Sequence, residues 1–140
     1  MKRGRRLAAV LDILEREEAA AARRLAEALR AEADARERLA QLQAYRQDYL
    51  QRGRQGGNGA ALHNLSTFLG QLQAAIDQQQ QLLHGLAGRS AAARHDWQQR
   101  RARSKALRTL LQRRRAAERQ AAEHQAQREL DQWASRRASS

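Results

Sequence analysis

Stepping alternately four and three residues from Leu7 lands on Leu7, Leu11, Leu14, Glu18, Ala21, Leu25, Ala28, Glu32, Ala35, Leu39, Leu42, Arg46 and Tyr49. Ten of these thirteen are apolar, and the residues between them are mainly charged or alanine. Two apolar positions in every seven form the narrow seam of a coiled coil, not the broad face of a helix in a globular core. The same spacing from Leu62 runs through Leu65, Leu69, Leu72, Ile76, Gln79, Leu83, Leu86, Ser90 and Ala93 to Trp97, with nine of eleven positions apolar. Carried on from Arg100 to Gln132, it meets only Leu107, Leu111 and Ala121 as apolar residues in ten positions. The seam is therefore expected to thin after residue 97 and nearly to vanish after residue 111.

Between the two periodic stretches lies Gly53-Arg-Gln-Gly-Gly-Asn-Gly59, in a chain that has no proline. Four of the eight glycines fall there, and each loses extra backbone entropy when fixed in a helix. The pattern predicts an all-α fold: a long antiparallel two-helix coiled-coil hairpin whose second helix extends beyond the first. Helix 1 is expected over about 3–52, the loop over about 53–59 and helix 2 over about 60–135, as a single domain over 3–135 with a frayed end at 136–140. Gly53 is the expected stop of the first helix and Asn58 the N-cap of the second. Equal rise on both arms about residue 56 pairs positions whose numbers sum to about 112. Leu7 then lies level with about residue 105, and 110–135 is left as a docking segment without an intrachain partner. Gly85 and Gly88, inside the second arm, mark either a bend, a close approach or a locally weak helix.

Composition narrows the partners. The net charge is +12, and residues 100–140 hold 12 basic and 4 acidic side chains, two thirds of the excess. The open end of the hairpin should gather Lys2, Arg3, Arg5 and Arg6 beside Arg101, Arg103, Lys105, Arg108, Arg113, Arg114 and Arg115, a footprint for an acidic partner. Aromatic residues make up 4% of the chain, too few for a globular core. With no cysteine, neither a disulfide nor a thiolate metal site can form. No apolar run is long enough to span a membrane, so no membrane insertion is expected. The basic N-terminus does not read as a secretory signal, because Asp12, Glu15, Glu17 and Glu18 break up the stretch that would have to be apolar.

Chemistry is expected to be absent. The four histidines show no ligand pair at i, i+4, so no metal is predicted. No Lys-Ser/Thr follows the glycines, so there is no phosphate loop, no cofactor and no catalytic residue. One aromatic feature stands out. Tyr45 and Phe68 each lie one step off the seam, and their numbers sum to 113, so they should meet across the hairpin near its tip. They read either as a partner-binding patch or as packing that seals the tip.

Leu42-x-x-Tyr45-x-x-x-Tyr49 before the loop, Phe68-x-x-x-Leu72-x-x-x-Ile76-x-Gln78-Gln79 after it, then Trp97 and Ala106-Leu107-x-x-Leu110 with Arg113, resemble the FliJ family of the bacterial flagellar type III export apparatus. The resemblance covers nearly the whole chain. It implies a non-enzymatic stalk that engages the flagellar export ATPase hexamer, the cytoplasmic domain of the membrane export gate and export chaperones. It implies a cytoplasmic location, peripheral to the inner face of the inner membrane at the flagellar base. It also implies export-gate binding by Leu42, Tyr45, Tyr49, Phe68, Leu72 and Ala75, with Arg38 and Gln79 where the family can carry other polar residues. The basic end would meet the ATPase ring. Two other readings of the residues stay open: the equivalent stalk of a virulence type III secretion system, and a basic helical nucleic-acid-binding protein. The second is disfavoured because the basic block lacks interleaved aromatics and any groove-reading motif.

Overall fold

The structure is a computed structural model that describes residues 2–139. It is all-α, with α1 spanning Lys2–Arg54 and α2 spanning Gly59–Ala138, packed against each other as an antiparallel hairpin. The described residues fall into two compact units. A loop unit comprises 20–98, and a terminal unit comprises 2–19 with 99–139.

In the loop unit the seam is Ala21, Leu25, Ala35, Leu72 and Ile76, all buried, with Ile76 only 1% exposed. Small alanines let the helices approach closely, while leucine and isoleucine supply the buried area. Polar residues interrupt this seam without leaving it. The Ser90 hydroxyl lies 3.0 Å from the Glu32 carboxylate, and the Gln79 amide donates to the Ala35 carbonyl at 3.0 Å. A buried polar group that finds its partner costs little, whereas an orphan costs about 1–3 kcal/mol. Such pairs therefore discriminate between alignments of the two helices.

The chain turns at Gln55–Asn58. Gly56 takes φ +100, a left-handed conformation that strains any residue with a Cβ. Asn58 caps α2, its side-chain oxygen accepting from the Ala61 amide at 2.8 Å, as expected. Gly53 is not the stop: α1 runs on to Arg54. Its role is close approach, since a Cβ there would stand 2.4 Å from a Leu65 methyl. A Cβ at Gly85 or Gly88 would meet nothing within 4 Å, and α2 passes through both. These two are weak helical positions, not close approaches.

The alignment differs from the symmetric fold about residue 56. Glu32 with Ser90 gives numbers that sum to 122, and Arg24 with Asp96, an ion pair at 3.3 Å, gives 120. The cause is the loop. Gly53 of α1 already faces Leu65 of α2, so the first turn of α2 overhangs the last turn of α1. Leu62, a predicted seam residue, is 47% exposed for the same reason.

In the terminal unit Leu7, Leu11 and Leu14 of α1 and Ser104, Leu107 and Leu111 of α2 form the seam. Ser104 is fully buried and lies 2.7 Å from the Glu18 carboxylate. Ion pairs flank it, Glu17 with Arg100 at 2.9 Å and Glu15 with Arg108 at 3.2 Å. The seam therefore reaches further than the apolar count implies. Leu111 is buried and Arg114 half-buried, so the segment without a partner does not begin at 110. Every described residue from Arg115 onward is exposed.

Helix α2 continues through Ala138, past the frayed end expected from 136. Arg136 and Arg137 occupy its last turn, where cations complement the helix dipole. The Ser139 amide donates to the Ser135 carbonyl at 3.2 Å. Ser140 lies outside the described residues.

Candidate interaction surfaces

Two chemically different surfaces lie in different units. In the loop unit, helical spacing puts Tyr45 and Tyr49 on successive turns of α1, with ring centroids 6.2 Å apart and planes 18° apart. Phe68 of α2 meets Tyr49 at 4.5 Å and 45°, the tilted geometry aromatic pairs favour. The Arg52 guanidinium sits 5.5 Å over the Tyr49 ring. Tyr45, predicted to face Phe68, instead stacks outside Tyr49 and is 60% exposed. The shifted alignment is the reason: Tyr49 and Phe68 have numbers that sum to 117.

The other predicted gate residues are less uniform. Leu42 on α1 and Ala75 on α2 are half-buried, while Leu72 is buried in the seam. Leu72 therefore offers a partner almost no surface. Gln79 is likewise turned inward onto Ala35, whereas Arg38 is exposed. Phe68 is 37% exposed, so Tyr45 and Phe68 are the two rings of this group most open to solvent. The continuous stack Tyr45–Tyr49–Phe68 makes a rigid amphipathic surface with little rotamer entropy left to lose on binding.

The terminal unit carries the charge. It holds 17 basic and 8 acidic side chains, a net +9, against 10 and 7 in the loop unit. Lys2, Arg3, Arg5 and Arg6 occupy the first turns of α1, which carry no acidic residue. Cations there oppose the helix dipole, so the field at this terminus is doubly positive. On α2, Arg101, Arg103, Lys105, Arg108, Arg113 and Arg115 are exposed and Arg114 is half-buried. Arg108 is neutralised by Glu15, and Arg114 pairs with Glu118 at 3.6 Å. Arg5, Arg114 and Arg115 line one groove of about 270 Å³ with Gly4, Ala8, Leu111 and a single acid, Glu118. Arg101, Arg103 and Lys105 are not part of that groove. The basic set is thus one groove rim plus separate exposed side chains.

Sequence reasoning passed over a third feature. Val10, Ile13 and Leu110 are 45%, 55% and 54% exposed in the terminal unit. Val10 and Leu110 each stand one residue before a seam leucine, the flank position that Tyr45 and Phe68 also hold. Extending the seven-residue template to that flank would have found them. Near the end of α2, Leu130 and Trp133 are also exposed, and Arg137 lies 4.6 Å over the Trp133 ring.

Among the described residues no group of three His, Asp or Glu side chains is placed to hold a metal ion, and no helix is long and apolar enough to cross a membrane. The residues matched by the family described as Flagellar FliJ protein are 1–140, the whole chain. The comparison with curated proteins finds no match.

Proposed function

The chain belongs to the FliJ family, a structural component of the flagellar export apparatus, and on that premise we propose that it couples the export ATPase to the membrane export gate without performing chemistry itself. The observation that carries this reading is the separation of two unlike surfaces into different units: a ring stack in the loop unit, and most of the surplus positive charge in the terminal unit. The ring stack is the surface for the cytoplasmic domain of the gate. The basic unit is the surface for the ATPase hexamer, whose recognition requires carboxylates facing Arg5, Arg115 and their neighbours. Export chaperones are further partners, and the protein works at the cytoplasmic face of the inner membrane at the flagellar base.

The experiment is a binding assay with the purified ATPase. Arg5→Glu with Arg115→Glu reverses two exposed charges on the rim of one groove. Removing favourable charge pairs and adding repulsive ones is expected to weaken ATPase binding by about tenfold or more at low salt. Gate-domain binding should not change. Equal loss of both partners, or loss of neither, would contradict the assignment.

A further inference from the structure

We propose that the terminal unit grips its acidic protein partner through an aliphatic strip, Val10, Ile13 and Leu110, with the surrounding arginines serving as its rim. The strip rests on the reading of this unit as a docking surface and says how that surface holds on.

The geometry comes from the seam. Val10 and Leu110 occupy equivalent flank positions, and their numbers sum to 120. The ion pairs of this unit, Glu17 with Arg100 and Glu15 with Arg108, sum to 117 and 123. The two residues are therefore level, on the same side of the helix pair. Ile13 lies one turn from Val10 on its outer side, and exposed Ala106 lies one turn from Leu110. Helical spacing frames this strip with Arg6 before Val10, and with Arg103 and Arg113 on either side of Leu110. All three arginines are exposed and make no ion pair among the described residues.

An exposed apolar cluster rimmed by charge is the anatomy of a protein interface, with the apolar centre desolvated and the rim steering encounter. The charge decides the occupant. A second copy of this chain would bring Arg6, Arg103 and Arg113 against surfaces of the same sign. A helix lying in a lipid surface presents a broad apolar face with Trp, Phe and Leu, whereas this strip has three aliphatic side chains. What fits is a protein surface with an apolar hollow bordered by carboxylates.

Two binding contributions then separate by salt. Rim charges are screened within a Debye length of about 3 Å at 1 M ionic strength, whereas apolar burial is not weakened by salt. Binding of the full chain to the purified export ATPase is measured from 0.05 to 0.5 M salt, for the wild type, Ile13→Asp, Leu110→Asp and the milder Val10→Ser, with helicity followed by circular dichroism. The expected result is wild-type binding that weakens with salt but persists at 0.5 M, and a loss of at least tenfold at 0.5 M in the aspartate variants with helicity kept. Wild-type affinity in all three folded variants at 0.5 M would overturn the strip while leaving the basic docking surface intact. So would wild-type binding that disappears entirely with salt. Failure of the wild type to bind at any salt would overturn the docking surface and the strip together. Capture of the chain by anionic vesicles, lost in the same variants while ATPase binding is kept, would assign the strip to lipid and refute the proposal.

Discussion

Replacing Tyr45 and Phe68 together by alanine is expected to weaken binding to the purified gate cytoplasmic domain by about a hundredfold, in line with the truncation cost of more than 2 kcal/mol seen at aromatic hot spots. These two rings are chosen because they are the exposed members of the stack, at 60% and 37%. Tyr49, the seam residue between them, stays in place and holds the local packing. Circular dichroism should therefore show unchanged helicity, and ATPase binding should be unaffected, because Tyr45 and Phe68 lie in a different unit from the basic set. Calorimetric titration checks the first point. Unchanged gate affinity in the folded double variant would leave the stack as packing that seals the turn.

Ile76→Ala should produce the largest loss of stability of any single truncation in the loop unit. Ile76 is the bulkiest apolar side chain that is fully buried, at 1% exposure. Removing three buried carbons from such a site costs about 2–5 kcal/mol, depending on how far the neighbours collapse. A two-helix seam has few neighbours to share the loss. Leu82→Ala is the matched control, since Leu82 is 52% exposed, and surface changes of this kind stay within about 0.5 kcal/mol. Urea unfolding followed by circular dichroism should separate the two variants clearly. Similar midpoints for both would mean that Ile76 is not at the centre of the helix pair.

The difference between these two residues was legible from spacing alone. Every α1 position reached by the four-three stepping from Leu7 to Tyr49 is buried or half-buried, and so is every α2 position from Leu65 to Arg114. Seven-residue spacing identifies which residues turn inward because helix geometry fixes it. It does not identify which residue faces which. Ser90 and Ser104 counted as gaps in the seam when read singly, yet each is matched by a glutamate from the other helix. Their burial depends on a partner far away in sequence, which no local pattern records.

The alignment itself was hidden in the loop. A symmetric fold about residue 56 ignores the overhang produced by Gly56 and by the close approach at Gly53. That offset is small along the chain but large for the surface chemistry. It moves the partner of Phe68 from Tyr45 to Tyr49, and it extends the paired seam to Arg114. Of the implied gate residues, the three rings are brought together and Leu72 is buried in the seam. The basic set was legible as composition, but its division into ion-paired and open arginines was not, because Glu15 and Glu118 each select one arginine from a run of equivalent ones.

The antiparallel pairing of α1 with α2 underlies both surfaces, and one distance tests it. The chain has no cysteine, so Arg24→Cys and Asp96→Cys can be labelled selectively with nitroxides, and dilution with unlabelled chain removes contacts between molecules. Side by side in the loop unit, with helix axes about 8–10 Å apart, the two labels should give a short, narrow dipolar distance. A continuous helix from 24 to 96 would place them on the order of 100 Å apart. No short distance in the diluted sample would contradict the hairpin and, with it, the ring stack at Tyr49 and Phe68.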